Sequence, residues 1–284
     1  MAIQRVGVIG SGIMGSGIAE VAAKAGCDVV LRSRKQESAD AMVAGLEKSL
    51  GRQVEKGRLE ETERDAVLSR VSGTSALEHL ADCDLVIESV VEDLEIKKHL
   101  FNELDRVVKD GAILATNTST LPVVEMAVET GRPEGVCGIH FFNPAPMMSL
   151  VEVVRPLTAS DATIAAAIAF AEQCGKTPVS VEDRAGFIVN RLLFPYLNNA
   201  VGLLESGAAS ASDIDEAMKG GCNFPMGPLA LLDLVGLDTS TAILDALYAE
   251  FSDPNYAPHP RLKRMVAAGR LGRKSGHGFY DYNR

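Results

Sequence analysis

The run Val6-Gly7-Val8-Ile9-Gly10-Ser11-Gly12-Ile13-Met14-Gly15 decides how the chain is read. Its first residues are apolar and suit a buried strand, and Ile18-Ala19-Glu20-Val21-Ala22 beyond the glycines continues as a helix. A strand that turns at once into a helix aims the first backbone amides of that helix at whatever lies over the turn, and a pyrophosphate suits such a place. In this reading Gly10 makes the sharp turn and Gly12 admits close backbone approach to the phosphates. Ile13 and Met14 follow on the loop, and Gly15 lets helix and strand pack closely. The same glycines also serve a tight connection that binds nothing.

One strand further on, Cys27-Asp28-Val29-Val30-Leu31-Arg32 ends where a dinucleotide site is tuned. An acid there accepts from the adenosine ribose and repels a 2′-phosphate. This chain has Ser33 instead, beside Arg32, Arg34 and Lys35, so the electrostatics invert and NADP is expected to bind at least as well as NAD. The alternative is that the cations are a solvated strand end and Glu37 reaches the ribose.

Residues 38 to 70 carry Met42, Leu46, Leu50 and Val54 on one helical face and break at Gly57, which predicts a helical hairpin inserted between strands. Lys48, Arg52, Lys56 and Arg58 along it are either a solvated face or a surface for an anionic substrate tail. Asp84 to Val90 reads as a continuous apolar strand, followed by Glu92, Lys97 and a helix from Ile96 to Val107. After the strand Ala112 to Ala115, the polar run Thr116-Asn117-Thr118-Ser119-Thr120 falls at the strand end that faces a ligand crevice in such sheets. Ser119 there either serves that crevice or caps the helix through Val123 and Val124.

The strand Val136 to Phe141 carries His140, and after the Pro144 and Pro146 turn Leu150 to Val154 returns beside it, bringing Glu152 towards His140. An imidazole beside a carboxylate is what a general base needs, and it is equally what a structurally satisfied buried histidine looks like. Beyond Glu182 to Gly186 strand-like alternation stops. Helices are expected from Phe187 to Leu204, with Asn190 early and Pro195 as a kink, then after Ser212 as a cap, from Leu229 to Val235 and from Thr239 to Phe251. Residues 1–184 are thus expected to form a dinucleotide-binding domain with its hairpin at about 36–70. Residues 185–284 are expected to form a smaller all-α domain for substrate and dimerisation, its apolar helices exceeding what one small bundle buries.

A chain of 284 residues with 46% hydrophobic residues supports two packed cores, and its formal net charge of -10 disfavours a nucleic-acid surface. The five cysteines are dispersed without a C-x-x-C pair, which suits reduced thiols. The five histidines offer no metal-ligand spacing. No apolar run approaches a membrane span, and the first strand leaves no room for a signal peptide, so a cytoplasmic protein is expected.

In the order Asn117-Thr118-Ser119, His140-Phe141-Phe142-Asn143-Pro144, Gly186-Phe187-Ile188-Val189-Asn190-Arg191, Pro225-Met226-Gly227-Pro228 and Gly272-Arg273-Lys274-Ser275-Gly276, the chain resembles the short-chain L-3-hydroxyacyl-CoA dehydrogenases. It is most similar to their bacterial 3-hydroxybutyryl-CoA branch. The resemblance implies an α/β fold, a Rossmann-type doubly wound sheet followed by a helical domain. It implies interconversion of a 3-hydroxyacyl-CoA and a 3-ketoacyl-CoA, in this branch (S)-3-hydroxybutyryl-CoA and acetoacetyl-CoA. It makes His140 the general base paired with Glu152, and Ser119 and Asn190 the holders of the substrate oxygens. It places Glu92, Lys97, Asn117, Asn143 and Lys274 at the nicotinamide half of the site, and Ser49 and Lys56 against coenzyme A. Two positions depart from the pattern: Ser33 where the family usually has aspartate, and Phe224 where relatives often carry histidine. A hydroxyisobutyrate-type dehydrogenase is disfavoured by the His140 and Glu152 spacing and by the basic hairpin. A non-catalytic dinucleotide-binding protein is disfavoured by the joint presence of Ser119, His140, Glu152 and Asn190.

Overall fold

The strands of the first half are short, with mostly apolar interiors and most of their charges at their ends, so a sheet forms whose central strands are covered on both faces. The computed structural model describes residues 3–283. Among them, eight strands form one sheet: β1 (Arg5–Ile9), β2 (Asp28–Arg32), β3 (Val71–Thr74), β4 (Leu85–Glu88), β5 (Ile113–Thr116), β6 (Val136–Phe141), β7 (Leu150–Arg155) and β8 (Thr177–Glu182). Their order is β3-β2-β1-β4-β5-β6-β7-β8, and all neighbours run parallel except β6 and β7. The order reverses between β1 and β4, and ligands of open α/β sheets bind outside the carboxyl ends at such a switch.

The connecting helices are α1 (Ile13–Lys24), α2 (Gln36–Glu55), α3 (Glu61–Leu68), α4 (Leu94–Val107), α5 (Val123–Ala127) and α6 (Asp161–Gln173). The hairpin is therefore α2 and α3, with Met42, Leu46 and Leu50 buried on one face of α2. Val6, Val8, Ile18, Leu31, Ile87 and Phe170 share one core.

The chain divides into two compact units, the first ending at Asp183 and the second beginning at Arg184. The second unit holds α7 (Val189–Glu205), α8 (Ala211–Cys222), α9 (Pro228–Val235), α10 (Leu237–Phe251) and α11 (Pro260–Ala267) around Phe194, Leu197, Leu229, Leu232, Leu244 and Leu262. Its last residues are tied by carboxylates. Asp215 accepts from the amides of Leu229 and Ala230 at the start of α9, at 2.8 and 2.9 Å, and from the Tyr280 hydroxyl at 2.8 Å. Asp233 accepts from the amides of Phe279 and Tyr280, both at 2.9 Å, and from the Tyr282 hydroxyl at 3.1 Å.

Several sequence expectations need correction. The helix expected from Ile96 starts at Leu94, because the Asp93 carboxylate accepts from the Ile96 amide and caps it. The cap of α8 is Ser210, whose hydroxyl accepts from the Asp213 amide, and Ser212 lies inside the helix. Strand β3 and helix α11 were not expected. Among the described residues no helix is long and apolar enough to cross a membrane.

Candidate active site

The glycine loop has the shape its sequence demands. Gly10 adopts φ +131°, and a Cβ there would stand 2.1 Å from the Ser89 carbonyl oxygen. A Cβ on Gly15 would stand 2.1 Å from the Gly10 carbonyl oxygen, so strand end and helix start touch backbone to backbone. A Cβ on Gly12 would meet nothing within 4 Å, so the loop is open on that side. Gly12 caps α1 without a side-chain hydrogen bond, and no acid occupies the first turn. Ile13 is exposed and Met14 half-buried. Open first-turn amides and a backbone free of Cβ obstruction fit the pyrophosphate of a dinucleotide.

A cleft of about 640 Å³ runs from this loop, lined by Gly10, Ser11 and Gly12, by Arg32, Ser33 and Arg34 at the end of β2, and by residues of the β4 exit and α4. Ser33 is buried and its amide donates to the Thr74 carbonyl at 3.0 Å, while Arg32 Nε reaches the Ser75 carbonyl at 3.4 Å. Strand β3 thus fixes the end of β2. Glu37 is exposed on the first turn of α2.

A second groove, of about 580 Å³, lies between α1, α2 and the Pro144 to Pro146 turn; Ser49 lines it and its hydroxyl donates to Glu20 at 3.4 Å. Lys56 is exposed just past α2.

The antiparallel register of β6 and β7 sets His140 opposite Glu152. His140 Nδ1 lies 2.8 Å from Glu152 Oε2, and Nε2 lies 3.1 Å from the Ser119 hydroxyl. A carboxylate only accepts, so Nδ1 donates to Glu152, and Nε2 is the ring nitrogen turned to Ser119. His140 and Glu152 are 4% and 1% exposed, so little water competes for that pairing. The Phe142 ring packs against the imidazole with centroids 4.6 Å apart. Cys137 on the same strand is fully buried, which pushes its thiol up to about 12 and leaves it no thiolate to offer.

The capping alternative for Ser119 does not hold. The Val123 and Val124 amides at the start of α5 donate to the Asp183 carboxylate at 3.0 and 2.8 Å, sixty residues away. Ser119 is held instead through its amide, which donates to Glu92 Oε1 at 3.0 Å, the same oxygen that accepts from the Thr118 hydroxyl. Asn117 accepts from the Phe141 amide at 2.8 Å and donates to the Ser89 hydroxyl at 3.3 Å, joining the exits of β4, β5 and β6.

Lys97 is 1% exposed and spends its ammonium on Glu88 and Glu92. Sequence reading missed Glu88, taking its strand as continuously apolar. One full charge among Leu85, Val86 and Ile87 was the available signal.

Asn143 is exposed before the cis Asn143–Pro144 bond. Asn190 and Lys274 belong to the second unit. Asn190 is buried early in α7, and Lys274 Nζ reaches Asp238 Oδ2 at 2.7 Å. The Asp238 carboxyl, partly desolvated, is nonetheless held below its usual range by that ammonium and by backbone amides.

A switch-point glycine turn, a cleft from it to the end of the next strand, and an imidazole held between a carboxylate and a hydroxyl define a dinucleotide-dependent oxidoreductase. The family described as the 3-hydroxyacyl-CoA dehydrogenase NAD-binding domain matches residues 5–184, and that described as the 3-hydroxyacyl-CoA dehydrogenase C-terminal domain matches residues 186–282. The chain belongs to the 3-hydroxyacyl-CoA dehydrogenase family. It is 50% identical over 280 residues to 3-hydroxybutyryl-CoA dehydrogenase of Clostridioides difficile, covering 99% of this chain and 100% of the relative. The crystal structure of Mycobacterium tuberculosis FadB2 superposes with a TM-score of 0.97 at 49% identity, covering 99% of this chain and 100% of that one. The structure of (S)-3-hydroxybutyryl-CoA dehydrogenase PaaH1 from Ralstonia eutropha does so with 0.97 at 42% identity, covering both chains fully.

Proposed function

We propose that this protein interconverts (S)-3-hydroxybutyryl-CoA and acetoacetyl-CoA with a nicotinamide cofactor, taking NADP at least as well as NAD. The observation that carries the chemistry is His140 held at both ring nitrogens, by Glu152 at 2.8 Å and Ser119 at 3.1 Å. Hydride transfer to or from C3 is the chemistry that a nicotinamide held in this cleft would supply. In oxidation His140 Nε2 takes the proton of the 3-hydroxyl, and in reduction the imidazolium returns it to the carbonyl oxygen. Glu152 fixes the tautomer and stabilises the imidazolium. Ser119 orients the substrate oxygen beside Nε2, where misplacement by about 1 Å can lower the rate roughly a hundredfold. Asn190 as a second holder of substrate oxygen, and Asn143 and Lys274 at the nicotinamide half, rest on the resemblance.

Gly10, Gly12, Ile13, Met14 and Gly15 would hold the pyrophosphate. Ser33 with Arg32 and Arg34 supports acceptance of a 2′-phosphate, because this end of the cleft presents a hydroxyl and cations. Ser49, in the groove beside α2, and Lys56 would meet coenzyme A. Residues 1–184 are the dinucleotide-binding domain in this reading and residues 185–284 the substrate and dimerisation domain. The exposed Leu192, Leu203, Leu234 and Tyr248 support a homodimer through those helices; a cytoplasmic location belongs to the same reading.

Initial rates of acetoacetyl-CoA reduction with NADH and NADPH at equal concentration test the reading. His140→Ala is expected to lower kcat about a thousandfold with cofactor binding retained; undiminished reduction overturns the mechanism. Ser33→Asp is expected to move preference towards NADH. A strong wild-type preference for NADH, or an unchanged ratio in the variant, overturns the cofactor assignment.

A further inference from the structure

The cleft that starts at the glycine turn ends on a face of α4 that the chemistry above leaves unused. Ile96, His99, Leu100 and Glu103 line it, spaced i, i+3, i+4 and i+7, so they form one stripe along the helix. The other faces of α4 are occupied. Lys97 Nζ reaches Glu88 Oε1 at 2.6 Å, and Lys98 Nζ lies 3.3 Å from Glu129 Oε1. The Asn102 side-chain amide donates to the Glu129 carbonyl at 3.0 Å, and Phe101 and Leu104 are buried. Ile96 and Val91, beyond the end of β4, are 49% and 62% exposed although both line the cleft. Together with the buried Leu100 they give it an apolar wall, a surface that favours cover by a flat aromatic ring.

Beyond that wall the polarity changes. Glu103 is the one acid among the described residues that line the cleft, in company with Arg32 and Arg34. It stands about two turns past Ile96, about 10 Å along the helix axis. Its side chain is 46% exposed, and His99 Nε2 lies 3.6 Å from its Oε1. A carboxylate only accepts hydrogen bonds, and in a cleft for a dinucleotide it repels phosphate. Such a group suits the site when the ligand brings a donor to it.

We propose that Glu103 selects the base of the dinucleotide, accepting from the 6-amino group of adenine while Val91, Ile96 and Leu100 cover one face of the ring. Strands β2 and β4 flank β1. With the pyrophosphate over the turn after β1 and the adenosine ribose at Ser33, the base falls to the remaining part of the cleft, along α4. Hypoxanthine carries a carbonyl oxygen where adenine carries the amino group, so the same carboxylate repels it. The inference rests on the proposed function for the placement of a nicotinamide dinucleotide in this cleft.

The test measures dissociation constants by calorimetry, on the whole chain, for NADH, for reduced nicotinamide hypoxanthine dinucleotide and for NADPH. Wild type is expected to bind the hypoxanthine analogue about tenfold more weakly than NADH, a modest ratio because Glu103 is half-exposed. Glu103→Gln puts an amide there, which both donates and accepts, and is expected to bring the two within about threefold. Glu95→Gln removes a charge from the same helix at a side chain that lies 3.5 Å from Lys98, and is expected to keep the wild-type ratio. Equal affinity of wild type for the two bases, or a tenfold ratio that survives in Glu103→Gln, overturns the inference. So does a Glu103→Gln protein whose only change is tighter NADPH binding, because Glu103 would then bear on the 2′-phosphate and not on the base. If wild type binds dinucleotides but does not reduce acetoacetyl-CoA, the proposed function fails, and the base ratio still decides this inference. If no dinucleotide binds, both fall.

Discussion

Glu152 on β7 and Asp233 on α9 are both 1% exposed, yet their surroundings give them opposite work. Glu152 faces the His140 imidazole at 2.8 Å, whose other ring nitrogen lies 3.1 Å from the Ser119 hydroxyl. Asp233 faces two backbone amides and a phenol, and it ties residues 279–282 to α9. Equal burial therefore says little about role. In the proposed mechanism, what separates Glu152 from Asp233 is that its partner's other edge meets the Ser119 hydroxyl, beside which the substrate oxygen would sit.

The sharpest way to break this contrast is Glu152→Gln. It keeps the volume and removes the charge that, in the proposed mechanism, stabilises the imidazolium. We expect kcat for acetoacetyl-CoA reduction to fall about a hundredfold or more, with substrate KM changed far less. Steady-state rates checked against a circular dichroism spectrum of native shape decide it. A folded variant with wild-type kcat would put Glu152 in the same class as Asp233.

This contrast was half visible in the sequence. Two apolar strands joined by a Pro144 and Pro146 turn leave little choice but antiparallel pairing, and counting from the turn sets Glu152 against His140. Ser33 was legible for a similar reason: it follows the second strand directly. What escaped reading depends on partners far along the chain. Asp183 caps α5 from sixty residues away, which no local pattern around Val123 announces. Asp215 and Asp233 carry no local signal of their role, because their partners Tyr280 and Tyr282 lie in the tail, 65 and 49 residues on. Glu88 was hidden by its apolar neighbours, and its partner Lys97 lies nine residues on. The local misses have local causes: Val71-Ser72-Gly73-Thr74 has one large apolar residue to mark it as β3, and Ser210 competed with Ser212 for one cap.

The second way to sharpen the comparison acts on stability. Asp233→Asn puts an amide where the Phe279 and Tyr280 N–H groups converge, so at least one donor faces another donor. Expected is a loss of about 1–3 kcal/mol, read as a lower urea midpoint with unchanged slope. kcat per folded molecule should stay near wild type. A variant that keeps its stability but loses kcat would show that Asp233 serves the reaction, and the distinction from Glu152 would collapse.

The smallest expected effect is the pH dependence of that same loss. Burial raises the Asp233 carboxyl above its ordinary 3.8; hydrogen bonds from Phe279, Tyr280 and Tyr282 pull it down but do not reverse the shift, and the nearby Asp215 charge adds to the rise. A carboxyl raised on folding binds more protons in the folded chain than in the unfolded one over the interval just above 3.8. Its contribution is therefore full below that value and fades as pH rises through the folded value, the reverse of an acid held low by a cation. The Asn variant has no such proton to lose. The wild type's margin over Asp233→Asn should accordingly shrink as pH rises through that interval and then level off, as urea midpoints of the two proteins at matched pH will read. A margin that grows with pH would mean the converging N–H and O–H donors outweigh burial, and that Asp233 is a stabilised anion and not a strained one.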